Sequence, residues 1–392
     1  MNLPENPHQA GLLRLLREGG RSRAELAGLS ELARSKVATE VARLVELDLV
    51  LEDGPADSRG GRRSVMLRLN PDLRFIGIDV GVTSVAVAVT DAELNIVALT
   101  EAASEVRLGP KATLALIREM VGKHRADGSF DEIAGMGIGV PGPVSFCDGV
   151  PVSPPLMPGW DGFPLRERLQ TEYACAVIVD NDVNIMVMGE RASGVAKTAD
   201  NVLFVKIGTG IGCGILVHGE VYRGTNGSAG DIGHIAVGAE TALCSCGNTG
   251  CLEACFGGAA LARAALVAAR SGASPWLAER LAEAGALTGK DVGDAAAAGD
   301  PASTAMIREG GRTVGRTLSG LTNFFNPSLI VIGGGVAELG HMLLAEIRAV
   351  IYRRSSPLAT GALPVVLSEL GATAGVIGAV AMAFDHTLGS AA

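Results

Sequence analysis

His234 is followed by Cys244, Cys246 and Cys251 in the run GHIAVGAETALCSCGNTGCLE (Gly233–Glu253). One imidazole and three thiolates form a closed Cys₃His set, suited to tetrahedral structural Zn²⁺. Gly247 and Gly250 permit the tight loop that returns Cys251 to such a metal. Asp231 and Glu253 flank the loop, so a metal that fixed it would aim both carboxylates into a pocket. Carboxylates there would accept hydrogen bonds from vicinal hydroxyls such as those of a sugar; the bland alternative is two solvated surface acids. The other cysteines, Cys147, Cys175, Cys213 and Cys255, read as small apolar residues. This is a metal spacing for a reducing compartment, not a disulfide framework, and the expected location is the cytoplasm.

A second group of residues bears on phosphate and hydroxyl chemistry. Asp182 ends the apolar run of VDNDVN (Val179–Asn184). It can serve as a general base toward a hydroxyl, or merely as a helix N-cap. Asn181 beside it can both donate and accept hydrogen bonds. Three glycine loops follow apolar runs: Asp79-x-Gly81-x-Thr83, Gly208-Thr209-Gly210 and Gly333-Gly334-Gly335. Each can be an ordinary hairpin. In this order they also offer backbone amides to a nucleotide, with Asp79 holding a metal through water. ATP and Mg²⁺ are therefore expected only if phosphoryl transfer is retained.

The elements that must position these groups alternate in type. Phe75–Asp91 reads as two strands about a glycine turn, and Met136–Val144 and Ala176–Asp182 as buried strands ending in loops. Asn201–Val221 is again strand, turn and strand, and Ser328–Val336 a strand entering a glycine turn. Amphipathic helices are expected at Leu114–His124, Leu261–Ser271 and Thr304–Asn323, with helix around Asp294–Ala298. The alternation predicts an α/β fold. At 392 residues the chain is long enough for two or three domains, and its composition division falls near residue 72. Hydrophobic residues make up 48% and charged residues 19%, which is globular, not disordered. The start, MNLPENPHQA, has no signal-peptide character, and no apolar run reaches spanning length, so no membrane partner is expected. A net charge of −9 confines any nucleic-acid contact to a small patch. Aromatics at 4% exclude a base-stacking surface for single strands.

Residues 1–72 supply such a patch. Leu12, Leu13, Leu15 and Leu16 give a first helix an apolar face, and Ser22 with Glu25 forms a capping box for a short second one. After the turn GLSELA (Gly28–Ala33), the helix Arg34–Leu47 buries Val37, Val41, Leu44 and Val45. Its other face carries Arg34, Ser35, Lys36, Thr39 and Arg43. That is a helix-turn-helix layout with donors near the start of the recognition helix. LVLEDG (Leu49–Gly54) and SRGGRRSVMLRL (Ser58–Leu69) then make a wing bearing Arg59, Arg62 and Arg63 for phosphates or a minor groove. A three-helix accessory or dimerisation domain is the alternative.

Taken together, the chain resembles the ROK family (repressors, open reading frames and kinases). The resemblance rests on DVGVT (Asp79–Thr83), GVPGPV (Gly139–Val144), VDNDVN, KIGTGIGCGI (Lys206–Ile215), NGSAGDIGH (Asn226–His234), CSCGNTGCLE (Cys244–Glu253) and NPSLIVIGGG (Asn326–Gly335). It implies an N-terminal winged helix-turn-helix followed by an actin-like, two-lobed domain. Residues 73–190, completed by about 375–392, would form the smaller lobe, and 191–374 the larger, metal-bearing one. By resemblance Asn181, Asp182, Asp231, His234 and Glu253 would contact a sugar, Asp182 being the base in kinase members and His234 serving metal and sugar together. Three departures stand out. Family kinases usually read GGTK at Gly81-Val82-Thr83-Ser84, Asp231 replaces the usual Glu, and Glu31 replaces a turn glycine. The implied function is a repressor relieved by a sugar or sugar phosphate, acting as a homo-oligomer (dimer or tetramer) on operator DNA. The alternative is an ATP-dependent sugar kinase of hexokinase or glucokinase type, or a bifunctional protein.

Overall fold

The structure, a computed structural model, describes residues 3–55, 65–237 and 242–389. It opens with α1 (Pro7–Arg17), β1 (Arg21–Ser22), α2 (Arg23–Leu29), α3 (Arg34–Glu46), β2 (Val50–Pro55) and β3 (Val65–Leu69). Asn6 caps α1 and the Ser22–Glu25 capping box starts α2, each satisfying amides that the first helical turn leaves unpaired. α2 runs two residues past the expected Ala27. Glu31, at φ +57°, adopts the left-handed conformation that glycine usually supplies in such a turn. The three strands pair in the order β1-β3-β2, the sheet of a winged helix. The three wing arginines, Arg59, Arg62 and Arg63, lie outside the described residues.

A five-stranded sheet follows, in the order β10-β7-β4-β5-β6. Its strands are β4 (Phe75–Val80), β5 (Ser84–Thr90), β6 (Ile96–Ala103), β7 (Gly135–Val140) and β10 (Ala176–Asn181). A short hairpin, β8 (Val144–Ser145) and β9 (Val150–Pro151), and the helices α4 (Pro110–Ala126), α5 (Leu165–Tyr173) and α6 (Asp182–Ala192) complete this part. β4 is antiparallel to β5 but parallel to β7, and β7 is parallel to β10, so the central strands are buried on both faces and read as continuous apolar runs.

A second five-stranded sheet has the order β13-β12-β11-β14-β15. It comprises β11 (Val202–Ile207), β12 (Ile211–Val217), β13 (Glu220–Val221), β14 (Leu329–Gly333) and β15 (Val365–Leu367). Around it lie α7 (Leu252–Phe256), α8 (Gly258–Ser271), α9 (Pro275–Ala284), α10 (Gly289–Ala297), α11 (Pro301–Phe325), α12 (His341–Arg354) and α13 (Pro357–Thr360). α4, α8 and α11 extend the expected Leu114–His124, Leu261–Ser271 and Thr304–Asn323 by about a turn at the start, while α10 begins five residues before Asp294 and ends at Ala297, since the first and last turns carry little apolar signal.

The last helix, α14 (Ala374–Thr387), ties the three parts together. A methyl group at Gly77 or Gly137 would collide with the Val376 or Ala379 carbonyl, so glycine is what lets α14 lie directly on β4 and β7. Its far end joins the N-terminal core: Phe384 and Leu388 share one apolar cluster with Leu12, Leu16, Leu26 and Leu44. Arg17 stacks 4.9 Å from the Phe384 ring centre and bonds Asp385 at 3.3 Å. The winged domain is thus docked on the helix whose other end reaches the Asp79 carboxylate, which a methyl at Gly375 would strike.

Candidate functional site

The metal-loop residues meet as expected. The ligand atoms of His234, Cys244, Cys246 and Cys251 all lie within 4.8 Å of one another. A tetrahedral centre with metal–sulfur bonds of about 2.3 Å separates two sulfurs by roughly 3.8 Å, and a sulfur from an imidazole nitrogen by roughly 3.6 Å. Here Cys246 Sγ and Cys251 Sγ are 3.7 Å apart, and Cys244 Sγ and His234 Nδ1 are 3.5 Å apart. The donor set therefore fits a four-coordinate divalent cation. The loop is folded by its own backbone: Gly247 N–H donates to the Cys244 carbonyl and Cys244 N–H to the Asn248 carbonyl. Gly247 and Gly250 take the positive φ angles (+90° and +73°) that the return needs. Burial pushes the Cys244 thiol up to about 12, with Glu253 adding to the shift, so a bound cation is what would ionise it.

The loop also places the flanking acids. Glu253 Oε1 lies 3.2 Å from both Cys244 Sγ and Ser245 Oγ. Asp231 Oδ1 is 3.9 Å from His234 Nε2, the nitrogen that does not face the thiolates. Asp231 is exposed, yet what burial it has raises its pKa, against the pull of His234. Glu253 also abuts Gly210 in the second glycine loop, where a methyl would come within 2.5 Å of its Oε2.

Two residues along, Gly212 abuts Val183, the second residue of α6. The start of α6 and Glu253 thus pack on one turn, which brings the two groups of candidate residues to the same place. Asn181, not Asp182, is the N-cap of α6: its Oδ1 accepts from Val183 N–H at 3.0 Å, and its Nδ2 donates to the Gly142 carbonyl at 2.7 Å. This removes the helix-cap alternative for Asp182, whose carboxylate instead pairs with Lys206 Nζ at 2.6 Å. Buried Asp79 lies in the same charge cluster, and its Oδ1 has no hydrogen-bond partner. Burial raises Asp79 to about 6; Lys206 opposes that shift and Asp182 reinforces it. For Lys206, burial works against the charge, yet Asp182 and Asp79 outweigh it and hold its pKa above the ordinary value.

Lys206, Asp180 and Arg223 carry no role in the sequence reading. Asp180 accepts from Asn181 N–H and Asn184 Nδ2, each at 2.7 Å, and pairs with Arg223 at 2.7 Å. Arg223, from the loop after β13, also stacks 3.7 Å from the ring centre of Phe146 beside the β8 hairpin, clamping the two sheets' loops together. The available signal was a single cation inside the apolar strand VLFVKI, and a second carboxylate at the end of VIVDND.

The glycine loops sit at the carboxyl ends of β4, β11 and β14, where open α/β sheets bind ligands. Gly81 N–H closes its turn on the Ser84 carbonyl, leaving Thr83 exposed. Gly208 and Thr209 lend their carbonyls to the amides of Gly258 and Ala259. Gly334, at φ +85°, packs on the backbone of Ile207, and Gly333 and Gly335 flank it. On the N-terminal domain, Arg34, Ser35, Lys36 and Thr39 are exposed on α3. Lys36 pairs with the buried Glu40 at 2.6 Å, and Thr39 Oγ1 bonds the Ser35 carbonyl at 3.1 Å. No helix among the described residues is long and apolar enough to cross a membrane.

A winged helix-turn-helix joined to a two-sheet α/β body of the actin-like kind, with carboxylates gathered beside a Cys₃His loop, defines the class. The chain belongs to the ROK family, whose sequence model matches residues 75–386, from the first residue of β4 into α14. A xylose repressor of Caldicellulosiruptor bescii is 29% identical over 374 residues, covering 94% of this chain and 92% of that protein. A glucokinase of Halalkalibacterium halodurans is 35% identical over 313 residues, covering 78% of this chain and 94% of the enzyme. Among solved structures, a ROK family transcriptional regulator described as a homologue of the E. coli Mlc protein superposes with a TM-score of 0.81 at 27% identity, covering 96% of this chain and 95% of that one.

Proposed function

We propose that this chain is a sugar-responsive DNA-binding repressor. The observation that carries it is the N-terminal domain. The repressor and the regulator align over 94% and 96% of the chain, whereas the glucokinase aligns over 78% of it. α3 presents Arg34, Ser35, Lys36 and Thr39 outward for a major groove, and the sequence between β2 and β3 supplies Arg59, Arg62 and Arg63 for phosphates. Two copies would read two operator half-sites, so a dimer is the minimum assembly. The protein acts in the cytoplasm, where its operator is.

The sugar binds beside the metal loop, held by Asn181, Asp182, Asp231, His234 and Glu253. Zn²⁺ on His234, Cys244, Cys246 and Cys251 fixes the loop; it supplies structure, and Glu253 and Asp231 supply hydrogen-bond acceptors. Sugar binding must favour one lobe arrangement for it to alter DNA affinity. The docked α14 is the physical connection between that site and the winged domain.

The test is fluorescence anisotropy of the purified protein on DNA flanking its own gene, with D-xylose and D-glucose as the first sugars and their phosphates next. A tenfold weakening by one sugar corresponds to about 1.4 kcal/mol of coupling. Absence of any specific DNA binding would sink the repressor reading. A second reading, an ATP-dependent sugar kinase, is favoured by the 35% identity to a glucokinase and by Asp182 standing free of any cap role. Turnover of ATP with a hexose panel, lost in Asp182→Asn, would establish it. Asp79, Gly81, Thr83, Gly208, Thr209, Gly210, Gly333, Gly334 and Gly335 would then line the nucleotide.

A further inference from the structure

We infer that Lys206 is a resident cation at the base of the cleft: its ammonium group serves the Asp79–Asp182 carboxylate pair in place of a divalent metal ion, so this site admits no Mg²⁺ and stages no Mg²⁺-nucleotide. Two carboxylates facing one ligand site at the carboxyl end of strands are the usual way to hold a hard divalent cation. Here Asp182 already pairs with a cation delivered by the fold, and Asp79 stands beside that pair, as the register partner of Gly139, on which the Asp182 backbone packs.

The placement is built into β11. Residues of this strand alternate in face: Leu203, Val205 and Ile207 enter the core of the second sheet, while Val202 and Phe204 pack against Met186 and Val187 of α6. Lys206 continues the second face and so points at the start of α6. Its register partners on both neighbouring strands are glycines, Gly212 on β12 and Gly333 on β14. Neither strand neighbour therefore puts a side chain of its own directly beside it. Gly212 also lets Val183 come close, and with it the Asp182 carboxylate. The lysine side chain is only 18% exposed and that of Asp182 10%, so the pair is largely withdrawn from water. A buried lysine is tolerated only with such partners. Lys206 is the largest charge acting on Asp79, and Asp182 the next. The three groups together carry two negative charges and one positive, a net of −1. A divalent ion added to them would face the ammonium charge at close range, and removal of the ammonium would leave two buried carboxylates in need of a cation.

The experiment reads the metal directly, with Mn²⁺ alone as probe, by electron paramagnetic resonance on the zinc-loaded full-length protein. The unmutated chain is expected to show no Mn²⁺ site that depends on Asp79. Lys206→Met is expected to gain one, at least tenfold tighter than any uptake by the unmutated chain, and Asp79→Asn in the Lys206→Met background is expected to abolish it. Lys206→Gln takes the place of Lys206→Met if the latter does not fold. An Asp79-dependent Mn²⁺ site in the unmutated chain overturns the inference, and so does failure of a folded Lys206 variant to gain one. Neither DNA nor sugar enters this readout, so a chain that binds no operator yet behaves this way loses the repressor reading and keeps the resident cation.

Discussion

Two places in this chain gather ionisable side chains in a confined space, and they balance charge in opposite ways. The metal loop collects three thiols and an imidazole, with no Lys or Arg paired to them among the described residues. The cleft base collects two carboxylates and brings its cation on a neighbouring strand. The first arrangement offers its four ligand atoms to an ion from solution; the second has half of its negative charge offset by its own lysine. Donor atoms alone do not define a metal site. What decides is whether the fold has already supplied the countercharge, because a buried charge left unpaired costs several kcal/mol.

The largest expected effect tests the metal loop. Cys246→Ser or Cys251→Ser should release the metal and cost about 3 kcal/mol or more of stability, since metal binding and folding of such loops are one equilibrium. Elemental analysis and calorimetry check this, and full metal content in both variants would break the comparison at its first term.

The cleft base comes next. Lys206→Met should cost about 1–3 kcal/mol, and the cost should depend on pH. Asp79, at about 6, takes its proton more readily in the folded state than in the unfolded one. The unmutated chain therefore loses stability as pH rises from the unfolded carboxylate range to about 6, and is level above that. Without Lys206 the folded Asp79 value rises further, so the loss continues above 6. Urea unfolding at pH 5.5 and pH 8 should show a larger deficit at pH 8; an equal deficit at both would mean that Lys206 acts only through packing.

Glu40 sharpens the comparison with a single carboxylate. It is buried between α1 and α3, bonded by Lys36, Asn6 and Gln9. Those partners hold it down at about 2, Lys36 and Asn6 outweighing the opposing effect of burial. Its contribution is complete above the unfolded carboxylate value and is lost as pH falls toward about 2. Glu40→Gln should cost about 1–2 kcal/mol at pH 7 and much less at pH 3, by thermal melting. A pH-independent cost would remove the charge argument here.

Arg34 is the control, an exposed cation with no carboxylate partner among the described residues. Arg34→Ala should leave stability within about 0.5 kcal/mol while weakening operator binding roughly three- to tenfold and lowering the salt slope by about 1. Unchanged DNA affinity would take the start of α3 out of the interface.

Much of this was legible in the residues. The Cys₃His loop shows itself because three thiols and two glycines crowd a short segment, so local chain geometry does the assembly. The helix α3 shows itself because Val37, Val41 and Leu44 repeat at helical spacing, and all three are buried. Asn181 and Asp182 were visible as a pair, but which one caps α6 depends on where the helix begins, and the Asn181 side chain took that role. Lys206 was visible only as an oddity in an apolar strand.

The sequence by itself determined the fold class and the meeting of the Cys₃His ligand atoms, because each rests on short-range periodicity or on ligands close together in the chain. Only the tertiary structure decided the cleft. Asp79 and Lys206 come from two strand ends and Asp182 from the start of α6, far apart in sequence, and glycines make room for them: Gly212 for Val183, which follows Asp182, and Gly375 for the Asp79 carboxylate. It likewise decided that the winged domain rests on α14, through Arg17, Phe384 and Asp385. Charge balance is a property of separation in space, and one-dimensional spacing carries no record of it.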